Sequence, residues 1–142
     1  MKVSLDTSIV VEIERRDEGI IAIIEELMKK HEIFISAVVS SEIFTGTYLR
    51  DDYEKATQKA KGLFSKFETI PLNTEIAEII GQINAFLIAD GSVIEYQDVA
   101  IAATFSYKRG DYLLTKNKKH FIRIPELRDK VLTPDEADRI IY

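Results

Sequence analysis

A three-layer α/β/α sandwich around a short, mainly parallel central sheet is the fold class this sequence predicts. Brief β-rich runs alternate with longer stretches of helical period, the pattern of a parallel sheet covered on both faces. The helical stretches also begin and end at residues suited to capping, which gives each crossover defined limits.

Taken in order, Lys2-Val3-Ser4-Leu5 alternates polar and apolar and reads as a strand. From Asp6 the period turns helical, with Ile9, Val10 and Ile13 on one face. After the charged run Glu14 to Glu18 and Gly19, a second helical stretch takes in Ile20, Ile23, Ile24, Leu27 and Met28. Ile33-Phe34-Ile35 is a brief strand ended by Ser36, an N-cap for a helix from Ala37 to about Leu49. Asp51-Asp52 starts a helix carrying Ala56, Ala60, Leu63, Phe64 and Phe67. Thr69-Ile70-Pro71-Leu72 reads as a strand end, because proline cannot donate to a central ladder. Asn73 or Thr74 caps a helix through Ile76, Ile79, Ile80, Ile83 and Leu87, ending near Asp90-Gly91. Glu95 to Lys108 is helical, with Gly110 placed to terminate it. Tyr112 to Thr115 is a strand, Phe121-Ile122-Arg123-Ile124 is a further short strand candidate, and Pro125 to Thr133 is a loop. Thr133-Pro134-Asp135-Glu136 is a capping box with proline at the first helical position, so a small C-terminal helix is expected.

The chain has 142 residues, 46% apolar and 30% charged, which suits one compact domain over residues 1–142. It has no cysteine, which excludes a disulfide framework, a thiol nucleophile and thiolate metal sites. No apolar stretch approaches the roughly 20 residues of a membrane span. The N-terminal residues lack the charged, apolar and small-residue succession of a signal peptide, so a soluble cytoplasmic protein is expected. The net charge of −5 argues against general adhesion to nucleic acid. It does not exclude a nuclease, since an acidic metal site counts as negative until its cation is bound.

Three acids stand at unusual places. Asp6 leads the apolar face Ile9, Val10, Ile13, and Asp98 leads Ile101, Ala102 and Phe105 at the same offsets. Glu42 lies one turn beyond Val38 and Val39, with Leu49 seven residues on. All three are expected at the edge of a buried face, where an isolated ionised carboxylate is costly unless paired or metal-bound. Strand-to-helix junctions of a parallel sheet gather in one crevice, so these acids can converge. Oxygen ligands of this kind suit Mg²⁺ or Mn²⁺ and phosphodiester hydrolysis. Periodicity leaves other readings open: an N-cap role for Asp6, a solvated position for Glu42, and a first-turn dipole role for Asp98.

The residues around these acids resemble a known family. Leu5-Asp6-Thr7-Ser8 resembles the opening of PIN domains, and Ser41-Glu42-Ile43 resembles their second signature. Gln97-Asp98-Val99-Ala100-Ile101-Ala102-Ala103-Thr104, then Gly110 to Asn117 and His120-Phe121, resembles the third block of VapC-type toxins. The order and spacing of these blocks match over essentially the whole chain. The resemblance implies a Mg²⁺- or Mn²⁺-dependent endoribonuclease with Asp6, Glu42 and Asp98 as metal-binding acids. It implies that Thr115 supports the site by hydrogen bonding to an acid or a water. Many family members carry a fourth acid where this chain has Asn117, which leaves a second metal open. Asn117 reads either as a carbonyl or water-holding ligand or as a turn residue. Glu95, one turn before Asp98, reads either as a member of the cluster or as a helix N-terminal acid.

Lys116, Lys118, Lys119 and Arg123 form a basic cluster beside these residues, read as phosphate contacts to RNA or as a solvated loop. A metal-free scheme would need both histidines, His31 and His120, in one site, and their positions disfavour it; the resemblance gives His120 no catalytic role. The resemblance further implies a homodimer, a cognate antitoxin covering the acidic site, and an RNA substrate such as tRNA or another structured RNA. Ile43, Phe44, Tyr48 and Leu49 read either as a dimer surface or, for half of them, as core.

Overall fold

The computed structural model describes residues 1–141, with the backbone alone described for Ile141. Within them, five strands form one sheet in the order β3-β2-β1-β4-β5. They are β1 (Lys2–Leu5), β2 (Glu32–Ser36), β3 (Glu68–Ile70), β4 (Tyr112–Leu114) and β5 (Val131–Leu132), and every pair is parallel. Crossovers are supplied by α1 (Thr7–Glu14), α2 (Glu18–Lys30), α3 (Ala37–Tyr48), α4 (Tyr53–Phe64), α5 (Thr74–Asp90), α6 (Tyr96–Tyr107) and α7 (Lys118–Phe121). A short α8 (Asp138–Ile141) follows.

Val3, Ser4 and Leu5 in β1 and Ile33 to Ser36 in β2 are all buried. Neighbouring side chains on a strand point to opposite faces, so both faces of the sheet are covered, as in the expected sandwich. On α1 Ile9 and Val10 are buried, and on α2 Ile20, Ile24 and Leu27 are, the latter at the helical spacing that turns one stripe to the sheet. α6 differs. Val99 to Phe105 are all buried, because α6 packs against α5, α3 and β2 at once and small alanines allow the approach.

The caps follow the sequence. Ser36 accepts from the Val38 N–H, and Asn73 (not Thr74) accepts from the Ile76 N–H at 2.9 Å. Gly91 ends α5 in the left-handed region at φ 68°, which only glycine enters without a Cβ penalty. Glu136 accepts from both the N–H and the hydroxyl of Thr133, and the box opens one 3₁₀ turn ahead of α8.

Three readings are corrected. Phe121 to Ile124 is not a strand: it closes α7 and turns, with Phe121 and Ile124 buried and Ile122 and Arg123 exposed. That is a turn's spacing of three, not alternation. The fifth strand is Val131–Leu132, inside the segment expected to be a loop, and it pairs with Leu113 and Leu114. Leu49, expected on a buried face, is 83% exposed, because α3 stops at Tyr48 and the chain turns away.

Gly110 does end α6, by a different device. The left-handed residue is Arg109 at φ 54°, and Gly110 donates to the Phe105 carbonyl. A Cβ on Gly110 would collide with the buried ring of Phe105. Gly110→Ala is therefore expected to lose roughly 1–3 kcal/mol as an overpacked site. Gly81→Ala, on the exposed side of α5 with nothing within 4 Å, is expected to gain about 0.5–1 kcal/mol. Urea unfolding of the two variants checks both signs.

Candidate active site

The sheet order reverses between β1 and β4. Chain connections leave these two strands in opposite directions, which opens a crevice at their carboxyl ends. The Asp6 N–H donates to the Leu114 carbonyl at 3.0 Å and the Thr115 N–H to the Leu132 carbonyl at 2.9 Å. Asp6 and Thr115 thus stand side by side at the mouth of that crevice, though 109 residues apart.

Asp6 is 2% exposed. It occupies the N-cap position of α1, yet its side chain caps nothing. Its Oδ2 instead accepts from the Thr115 hydroxyl at 2.7 Å and the Ser8 hydroxyl at 2.8 Å. Ser8 is fixed in turn by the Lys116 N–H at 3.0 Å, and Thr115 by the Asn117 N–H at 2.9 Å. A buried carboxylate that would otherwise lose its hydration is held by two oriented donors.

The other two acids are held in the same manner. Glu42, half-buried on α3, accepts at Oε1 from the Thr7 hydroxyl at 2.8 Å. Asp98, in the first turn of α6, accepts at Oδ2 from Nδ1–H of His120 at 2.8 Å. Each carboxylate therefore has one oxygen tied to a neighbour. Its other oxygen, Oδ1 of Asp6, Oδ1 of Asp98 and Oε2 of Glu42, makes no hydrogen bond among the described residues.

The acids share one electrostatic field. Burial raises the Glu42 carboxyl above its ordinary value of 4.5; the Thr7 hydrogen bond opposes this, and the charges of Asp6, Asp98 and Glu95 add to it. Burial likewise raises Asp98 above 3.8, opposed by His120 and reinforced by Asp6 and Glu95. Glu95, exposed at the N-cap of α6, stands within reach of both. Desolvation plus like charges is the signature of carboxylates assembled against their own repulsion.

Among the described residues, no three or more acidic or imidazole side chains are already gathered as a closed cage for an ion. The donor set still fits a hard divalent cation, since Mg²⁺ keeps several waters and uses one or two protein carboxylates with substrate phosphate. The free Oδ1 of Asp6, oriented by the clamp on its Oδ2, is the clearest such donor.

The basic residues are placed less uniformly. The Lys116 ammonium lies 3.3 Å from Glu12, and Lys118 bonds both Glu136 oxygens at 2.9 and 3.1 Å, which holds the Glu136 carboxyl down at about 2. Arg123 donates to the Val93 carbonyl at 3.2 Å. Lys119 is exposed and has no ion pair among the described residues. Asn117 is exposed at the N-cap position of α7, and its side chain caps nothing.

The histidines lie apart. His31 precedes β2 at the amino edge of the sheet, where its Nε2 donates to the Ile140 carbonyl at 2.8 Å, whereas His120 is at the carboxyl edge. Sequence reasoning overlooked His120, Thr7 and Ser8 as direct partners of the acids. Thr7 and Ser8 follow Asp6 immediately, and that adjacency was the available signal. A groove of about 650 Å³ lies elsewhere, between α1, α2 and α4, where Arg16, Arg50, Lys55, Lys59 and Lys66, together with Glu14 and Asp52, rim an apolar floor. Asp6, Glu42 and Asp98 do not line it.

Solved structures share this architecture. A chain of VapBC2 from Rickettsia felis, a complex bound to a DNA fragment from its promoter, superposes with a TM-score of 0.84 at 26% identity, covering 94% of this chain and 98% of that one. DNA-bound VapBC from Salmonella typhimurium gives 0.83 at 25% identity, with coverage of 94% and 98%. VapC20 of Mycobacterium tuberculosis, a sarcin-ricin loop cleaving toxin, gives 0.57 at 14% identity over 78% of this chain and 86% of that one, a likeness of fold alone. No curated protein matches the sequence. The family model of the PIN domain matches residues 3–127, nearly the whole of the sheet and its crossovers, and the chain belongs to the PIN-domain family.

Proposed function

We propose that this protein is a divalent-metal-dependent endoribonuclease, using Mg²⁺ or Mn²⁺, and the toxin of a VapBC-type toxin–antitoxin pair. The observation that carries the reading is the set of carboxylates at the β1–β4 reversal, each clamped through one oxygen with the other left free. Family membership and the likeness to VapBC chains support it.

Asp6 and Asp98 would hold the cation, with Glu42 completing the acidic wall. When bound, the cation supplies water activation and neutralises charge on the phosphate. The chain's own contribution is orientation. Thr115 and Ser8 fix Asp6, Thr7 fixes Glu42, and the buried β1–β4 pairing keeps these donors from moving. Lys119, with no ion pair to exchange, is the readiest phosphate contact. Lys116, Lys118 and Arg123 would join by exchanging their present partners. The acidic mouth suits an antitoxin segment that presents Arg or Lys to it. We place the protein in the cytoplasm, as a single PIN domain that works as a homodimer; no helix among the described residues is long and apolar enough to cross a membrane. Tyr48 and the neighbouring Leu49 are exposed and fit a dimer surface, whereas Ile43 is core and Phe44 packs against it.

One observation favours a second reading. The exposed amide of Asn117 stands where many relatives carry an acid, which suits a catalytically silent module that binds RNA or a partner protein. An RNA-processing nuclease with no toxin role would share every feature of the first reading.

Three expectations follow from this geometry. Purified protein freed of antitoxin should cleave RNA, tRNA included, with Mg²⁺ or Mn²⁺ and not with EDTA. Asp98→Asn should abolish cleavage, and Thr115→Val should slow it roughly 10–100-fold, the usual effect of losing an outer support. Intact RNA in every metal condition, from folded protein, would favour the silent module; cleavage that survives both EDTA and Asp98→Asn would remove the metal reading.

The raised Glu42 carboxyl has a stability consequence. A folded-state pKa above the unfolded 4.5 means that the native state binds more protons in the window just above 4.5, so stability falls as pH rises through it. Metal-free Glu42→Gln should therefore melt higher than the parent at pH 7, with the difference closing below pH 4.5. Thermal unfolding in EDTA across that range measures it, and an equal or lower melting temperature for the variant at pH 7 would contradict it.

A further inference from the structure

We infer that His120 is a positioning residue for the metal site: its Nδ1–H holds Oδ2 of Asp98 so that Oδ1 is presented to the cation. The inference rests on the metal-dependent reading above and adds a residue to it.

Asp98 has the same arrangement as Asp6, one oxygen tied and one free, but a different donor ties it. Asp6 is held by two hydroxyls, whereas Asp98 has a single imidazole at 2.8 Å. Nothing else in the described residues donates to the Asp98 side chain. Without His120 the carboxylate could rotate about its last bond and lose the orientation of Oδ1. An oriented outer partner of this kind is what fixes a ligand's geometry at a metal site.

The placement of His120 is rigid for a reason outside the site. It sits on the four-residue α7, and the next residue, Phe121, is completely buried, with α7 packed against α6 and β5. The Asn117 N–H bonded to Thr115 fixes the other end of α7. One short element is thus anchored to both carboxylates, to Asp6 through Thr115 and to Asp98 through His120. The segment that carries an amide at position 117 instead of a fourth acid contributes an orienting imidazole three residues later.

The side chain of His120 is 43% exposed, so substitutions there leave the core intact. Two replacements separate a positioned donor from bulk or charge. In His120→Asn the amide nitrogen falls near the place of Nδ1, and in His120→Gln it falls near that of Nε2. The measurement is Mn²⁺ affinity of the antitoxin-free protein by titration calorimetry, with RNA cleavage and thermal unfolding as companions. His120→Asn is expected to bind Mn²⁺ within a few-fold of the parent, and His120→Gln and His120→Ala roughly 10–100-fold more weakly. Equal affinity in all four proteins, tighter binding in His120→Ala, or His120→Gln matching His120→Asn would each overturn the inference. So would His120→Asn binding as weakly as His120→Ala. A variant set that changes only melting temperature would make His120 structural and overturn it as well. If the parent itself binds no Mn²⁺, the metal-dependent reading fails, and the inference falls with it.

Discussion

The structure turns on one electrostatic constraint: Asp6 is an almost fully buried carboxylate at the end of the central strand, beside two more half-buried acids. In the free protein burial and like charge both oppose ionisation of Glu42 and Asp98, the Asp6 charge adding to the opposition in each case. The arrangement is sustained by hydroxyl and imidazole donors that each bind one oxygen of an acid. Those donors come from segments next to or far from the acid they hold. Thr7 and Ser8 are local, while Thr115 and His120 arrive from beyond β4.

The sheet order makes that convergence unavoidable. With β1 central and β4 on the side opposite β2, the residues after β1 and β4 leave a common edge. The register that pairs Leu5 with Leu114 sets Asp6 beside Thr115. Two-residue β5 then takes the Thr115 N–H through Leu132 and leaves the hydroxyl for Asp6. Residues with no chemistry of their own, Leu114 and Leu132, thus determine where a donor points. Core packing and site geometry are in this respect one problem.

Much of this was legible in the sequence. Asp6, Glu42 and Asp98 could be read as acids at the edges of apolar faces, and the alternation of short strands with helices gave the layers. Less could be read where an element is too short to show a period. Val131–Leu132 has two residues and cannot alternate, and Phe121 to Ile124 looked β-rich because its composition is apolar, though its burial follows a turn. The helix reading also carried Leu49 too far, since nothing in its own type reports that α3 stops one residue earlier. The clamps were less accessible still. That Thr115 and Ser8 share one oxygen of Asp6, or that His120 reaches Asp98, depends on strand register and on the burial of Phe121, which no local pattern encodes.

The most direct test of the account is a crystal of the protein soaked in Mn²⁺ and measured for anomalous scattering. The account predicts a manganese peak touching Oδ1 of Asp6 and lying between Asp6 and Asp98, with Oδ2 of Asp6 still bonded to Thr115 and Ser8. A peak that displaces those hydroxyls, or one that avoids Asp6 altogether, would contradict it.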